Sequence, residues 1–153
     1  MTRVKIVILN WNGRDYLERF LPSLVSRTPG AGIVVADNGS TDSSMEFLAE
    51  CYPQVERLQL DRNYGYAGGY NRALKLIDAD CYVLLNSDVE VTEGWLKPLV
   101  DMLERHPDVA AVAPKILSYN TRETFEYAGA AGGFIDFLGY PFCRGRILSH
   151  VER

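Results

Sequence analysis

Tyr82-Val83-Leu84-Leu85-Asn86-Ser87-Asp88 decides the fold: a strand-length apolar run stops abruptly at three polar residues, the last of them acidic. An apolar run of that length predicts a strand covered on both faces, central in a parallel sheet. Working outward, three more runs precede it, Val4–Leu9, Ile33–Ala36 and Val55–Leu60, and Val109–Ala113 follows as a fifth. Helical spacing fills the gaps between them. Leu17, Phe20, Leu21, Leu24 and Val25 mark the first helix, where Pro22 predicts a kink or a break. Ser43 with Glu46 reads as a capping box opening the second, which buries Phe47, Leu48 and Cys51. Gly68–Ile77 is the third, and Leu96, Leu99, Val100 and Leu103 mark the fourth. Alternating strands and helices predict an α/β fold, a doubly wound and mostly parallel sheet with helices on both faces.

Ligands of such sheets bind outside the carboxyl ends of the strands. In this chain every strand end of the first four carries a polar cluster: Asn10-Trp11-Asn12, Asp37-Asn38-Gly39-Ser40-Thr41-Asp42, Asn63 to Asn71, and Asn86-Ser87-Asp88. Each has an ordinary explanation when taken singly. Asn-Gly and Ser/Thr/Asp favour turns and caps, an Asp can simply end a strand, and glycines can simply loosen a loop. Their joint placement is what points to a ligand. Asp37 and Asn38 offer acceptors for a nucleobase imide N–H. Asn86 and Asp88, two apart, fall on one side of their strand. A carboxylate there suits Mg²⁺ or Mn²⁺, hard cations that share their oxygen shell with substrate phosphates. The glycines of Asn63–Asn71 open a helix, and a helix N-terminus favours phosphate. Their spacing fits neither of the glycine-rich nucleotide loops of P-loop and dinucleotide enzymes. Tyr64, Tyr66 and Tyr70 read as packing residues before stacking platforms, and Trp11 as core or cleft lining.

Composition narrows the class further. The 153 residues carry 16 Lys+Arg against 20 Asp+Glu, a net charge of −4, so the basic face of a nucleic-acid binder is missing. Apolar runs are strand-sized, which argues against a transmembrane segment, and no signal peptide precedes Val4; the expected compartment is cytoplasmic. Cys51, Cys81 and Cys143 form neither a CxxC pair nor an even set and read as reduced thiols. His106 and His150 lack partners at metal-ligand spacing. Phe125–Arg146, rich in glycine and aromatics, reads as a loop or hairpin region.

Together these segments resemble glycosyltransferase family 2, inverting enzymes with the Rossmann-like GT-A fold. The resemblance is carried by Val7-Ile8-Leu9-Asn10-Trp11-Asn12-Gly13, Val35 to Asp42, Asn63 to Asn71, Leu84 to Asp88, and Val112-Ala113-Pro114-Lys115-Ile116. Glu126-Tyr127-Ala128-Gly129 and Gly139 to Gly145 are similar to the rhamnosyltransferase-like branch. The resemblance implies a nucleotide-sugar-binding domain over residues 1–117 and the start of an acceptor-side region over 118–153. It implies nucleotide-sugar contacts at Asn10, Asn12, Asp37, Asn38, Asn63, Gly65, Asn71 and Asn86, and a metal ligand at Asp88. Asn86 stands where the family's paired-carboxylate motif has its first Asp, leaving one carboxylate. The implied donor is dTDP-rhamnose, then a UDP-sugar. The implied acceptor is a bacterial polysaccharide or lipid-linked glycan, with peripheral membrane association of a longer parent. Family members carry an acidic base in a Glu-Asp pair further along, and none follows Lys115. Asp136 and Glu126 do not match that motif, so the base is expected beyond Arg153 and the chain reads as truncated.

Three rivals compete. A receiver-like phospho-module would use Asp88 as phosphoacceptor and Lys115, but needs an acidic pair where Asn10-Trp11-Asn12 stands. A sugar nucleotidyltransferase needs a basic glycine-rich loop after the first strand. A nucleotide-binding fragment without turnover fits every motif above.

Overall fold

The computed structural model describes residues 2–126, 133–143, 146–147 and 150–151. They form two compact units, Met1–Leu96 and Lys97–Arg153.

The first unit holds β1 (Val4–Asn10), α1 (Arg14–Arg27), β2 (Gly32–Asp37), α2 (Ser44–Cys51), β3 (Glu56–Gln59), α3 (Gly65–Ala73) and β4 (Cys81–Leu85). Its four strands are parallel, in the order β3-β2-β1-β4. Alternation along β1 sends Ile6 and Ile8 to one face, where they meet Leu17, Leu21 and Leu24 of α1 and Phe47 and Leu48 of α2. Val7 points the other way, with Ala36, onto Tyr70 and Ala73 of α3. Helices therefore cover both faces, and each large apolar side chain buried between them contributes roughly 1.5–3 kcal/mol. The chain moves outward from β1 to β2 to β3 and then returns to the far side of β1 as β4. The order reverses between β1 and β4, which is where a crevice opens in sheets of this kind.

Four expectations need correction. β4 is not central: among the described residues only β1 pairs with it, and Leu84 is 51% exposed. Its apolar run hides an alternation, with Tyr82 and Leu84 outward and Val83 and Leu85 against the core. Val109–Ala113 forms no strand; it is short and alanine-rich, a weak strand former with no ladder partner to fix it. Pro22 does not break α1, which runs unbroken from Arg14 to Arg27. Cys51 ends α2 exposed rather than buried.

Among the described residues the second unit contains α4 (Leu96–Arg105), apart from its first residue, and three short pairings. Leu117 bridges Phe125. β5 (Gly133–Ile135) and β6 (Pro141–Cys143) form an antiparallel hairpin, as do β7 (Arg146–Ile147) and β8 (His150–Val151). The hairpin expected in the Gly- and aromatic-rich stretch is present in β5–β6, while residues 127–132 and 144–145 lie outside the described residues.

Candidate nucleotide-sugar site at the strand ends

The register places Asn10 of β1 beside Asp37 of β2, so the two polar residues that end these strands meet directly. Both are 0% exposed. Asn10 donates Nδ2 to Asp37 Oδ1 at 3.1 Å and to Ser40 Oγ at 3.2 Å. The other carboxylate oxygen of Asp37 accepts from Ser40 N at 3.0 Å. Asn12 closes the same knot from outside. Its backbone N donates to Ser40 Oγ at 2.9 Å, and its Oδ1 accepts from Thr41 N at 2.7 Å. It does so in the left-handed region, at φ 50°, which asparagine tolerates better than most residues. Asn10 Oδ1 is buried without a partner among the described residues. Such an acceptor costs about 1–3 kcal/mol unless a water or a ligand group satisfies it.

Asn38 ties the second loop to the third. Its Nδ2 donates to Asn63 Oδ1 and to Gly65 O, each at 3.1 Å, and its Oδ1 accepts from Tyr64 N at 3.0 Å. Asn63 Oδ1 also accepts from Gly65 N at 2.7 Å, a short turn that opens α3. The two loops touch so closely that a Cβ on Gly39 would lie 2.7 Å from the backbone carbon of Arg62, and φ there is +77°. Only glycine meets both conditions.

α3 joins the last cluster. Tyr70, buried beneath it, donates its hydroxyl to the Leu85 carbonyl at 3.1 Å. Tyr66, one turn earlier and 63% exposed, donates to Asn86 Oδ1 at 3.2 Å. Burial, with Tyr66 alongside, pushes the Tyr70 hydroxyl well above the ordinary tyrosine range, which keeps it a donor. Asp88 is exposed and makes no hydrogen bond or ion pair with the described residues. Asn71 is likewise exposed on α3 and joins none of these networks.

Hydrogen bonds thus bring Asn10, Asn12, Asp37, Asn38, Asn63 and Gly65 together, and a tyrosine contact adds Asn86 to the α3 side. Asp37 and Asn38, expected to face a nucleobase, are buried and spend their side-chain atoms on neighbouring loops. Trp11, expected as lining, is 59% exposed. The capping box at Ser43 does not form. Asp42 caps instead: Oδ1 accepts from Ser44 N at 3.1 Å, while Oδ2 accepts from Arg14 N at 3.0 Å at the start of α1. Ser40 and Asp42 were therefore overlooked as organising residues. Their signal was their place in a Ser-Thr-Asp run that reads as generic turn chemistry.

A cation would find no protein cage: no group of three or more His, Cys, Asp or Glu converges among the described residues. An exposed carboxylate at a strand mouth does fit an ion that takes most of its shell from phosphate and water. A cleft of about 330 Å³ lies away from these loops, beside Lys5, Leu58 and Ile77. Lys5 pairs there with Glu56 and Asp78 with Arg3, while Arg57 also lines the cleft.

A doubly wound parallel sheet with helices on both faces and polar loops at its carboxyl ends defines a Rossmann-like α/β domain. The family model for "Glycosyl transferase family 2" matches residues 5–143, and the chain belongs to that family. It is 32% identical over 123 residues to an N-acetylglucosaminyl-diphospho-decaprenol L-rhamnosyltransferase of Mycobacterium tuberculosis, covering 72% of this chain and 40% of the relative. The crystal structure of Staphylococcus aureus TarS 1-349 with UDP-GlcNAc superposes with a TM-score of 0.60 at 20% identity, over 76% of this chain and 38% of that one. A mannosyltransferase of Pyrobaculum calidifontis in complex with GDP-Man and Mn²⁺ gives 0.58 at 20% identity, over 75% and 34%. These likenesses show the GT-A fold. The chain spans about 40% of the length of the rhamnosyltransferase it matches. Family membership also removes the receiver-like reading of Asp88.

Proposed function

We propose that the strand-end face binds a nucleotide-diphospho-sugar, and that a protein carrying this domain transfers the sugar with inversion to a bacterial polysaccharide or a lipid-linked acceptor. One observation carries it: the polar ends of β1 and β2, the β3–α3 loop and, through Tyr66, the end of β4 are tied together along the carboxyl edge of the sheet. The rhamnosyltransferase relative supports a rhamnosyl donor, read here as dTDP-rhamnose, with a UDP-sugar next. Main-chain N–H groups at the start of α3 are suited to receive phosphate oxygens. Asp88 would hold Mg²⁺ or Mn²⁺, and a divalent cation there would neutralise the diphosphate leaving group.

Calorimetric titration of the folded chain with dTDP, UDP and ATP, each with and without Mn²⁺, tests this. The expected result is weak binding of dTDP or UDP that tightens with Mn²⁺. No heat with either nucleotide, or a preference for ATP, would overturn it. Nucleotide binding without turnover is the second reading, favoured by the share of its relatives that the chain spans.

A further inference from the structure

Tyr66 and Tyr70 sit one helical turn apart on α3 and address consecutive residues at the end of β4. Tyr70 fixes the backbone, through the carbonyl of Leu85 at 3.1 Å. Tyr66 reaches the side chain of the next residue, Asn86, at 3.2 Å. The two rings meet edge to face, with centroids 5.0 Å apart and planes at 73°. Because Tyr70 is 4% exposed and anchored, it is a rigid backstop for the ring of Tyr66, which is 63% exposed. Packing alone does not explain an exposed tyrosine whose hydroxyl reaches a residue of the strand-end face.

An asparagine amide has two chemically opposite ends. The oxygen accepts hydrogen bonds or ligates a cation, and the nitrogen donates two protons. Position 86 stands two residues before Asp88, where an oxygen would naturally serve a metal. We propose that Tyr66 is a positioning residue that holds the amide oxygen of Asn86, so that its amide nitrogen is turned to the nucleotide as a hydrogen-bond donor to one of its oxygens. This rests on the nucleotide-binding reading above, with its nucleotide contact at Asn86 and its metal ligand at Asp88, and adds the residue that orients Asn86. Asp88 carries the cation, and Asn86, held by Tyr66, carries part of the nucleotide.

The test is a double-mutant cycle of Tyr66→Phe and Asn86→Ala, read by UDP and dTDP affinity in cation-free buffer and by the thermal midpoint. Phenylalanine keeps the ring against Tyr70, so the fold is expected to hold. Tyr66→Phe should weaken nucleotide binding by about five- to tenfold, the worth of one hydrogen bond. The same substitution in the Asn86→Ala background should change affinity by less than about twofold, since coupling vanishes when the partner is gone. Equal weakening in both backgrounds would overturn the proposal, because Tyr66 would then touch the nucleotide itself. Unchanged affinity in the Tyr66→Phe single variant would overturn it too. The side-chain amide signals of Asn86, followed by NMR without any ligand, separate this failure from that of the nucleotide reading. They should move on Tyr66→Phe, and unmoved signals would refute the contact. Moved signals in a chain that binds no nucleotide would overturn the nucleotide reading and the donor role with it, leaving only a latch between α3 and β4.

Discussion

Asparagine dominates the strand ends, and its chemistry sets what could be inferred there. Clustering of Asn10, Asn12, Asp37, Asn38, Asn63 and Asn86 was legible from their places after apolar runs. Which of them face outward was not, because one amide can serve a ligand or a neighbouring loop, and the choice depends on partners far away in sequence. Asn38 is 28 residues from Asn10, yet both end up inside the same knot of loops. Asp88 differs, being exposed and uncommitted. Replacing Asp88 by Asn preserves shape and removes the charge a hard cation needs. Nucleotide affinity in cation-free buffer should then stay within about twofold, while the Mn²⁺-dependent gain disappears. Titration of both chains with UDP plus and minus Mn²⁺ checks this, and a surviving gain would place the cation elsewhere.

At the scale of elements, α1 and α2 begin on one shared carboxylate. Burial alone would raise the Asp42 pKa above 3.8, but hydrogen bonds from Ser44 and from the Arg14 backbone outweigh it, and the net shift is downward. A lowered folded pKa contributes stability above the ordinary value, and that contribution is lost as pH falls through it and on through the folded value. Asp42→Ala should therefore cost roughly 1–3 kcal/mol at pH 7, as for the loss of one to two N-caps. The gap between the two chains should narrow below about pH 4. Urea midpoints at pH 7 and pH 3 provide the comparison; a gap independent of pH would mean that Asp42 acts by packing. The strands and helices of the first unit were legible because apolar periodicity reports burial directly. Helix starts were less so. Ser43 and Glu46 make a capping box on paper, but the carboxylate one residue earlier, Asp42, accepts from the Ser44 amide and from Arg14 as well.

Over the whole molecule, the family and the parallel sheet were legible and the neighbours of β4 were not, since an apolar run shows burial without showing which strands supply it. The chain spans about 40% of the rhamnosyltransferase relative, and residues 1–153 offer no acidic pair matching the family's base motif. General-base catalysis is typically worth about 10²–10⁴-fold, and positioning adds on the order of 7 kcal/mol or more. We expect this chain to bind donor and to transfer rhamnose from dTDP-rhamnose at near background. A longer version extending past Arg153 should turn over measurably with the same lipid-linked or oligosaccharide acceptors. Equal rates would place the base within these residues, and Asp136 and Glu126 would be the first to replace.

The outer side of β4 has a colloidal consequence. Among the described residues β4 pairs on one side only, and a rim of that kind leaves amides and carbonyls that can template the next copy of itself unless charge or proline guards it. Here the rim shows Leu84 at 51% and Tyr82 at 37% exposure. What separates one molecule from another is then the net charge of −4, which vanishes near pH 5.2. Around that acidity the repulsion between copies is smallest, so self-association is expected to peak there, read as light scattering against pH.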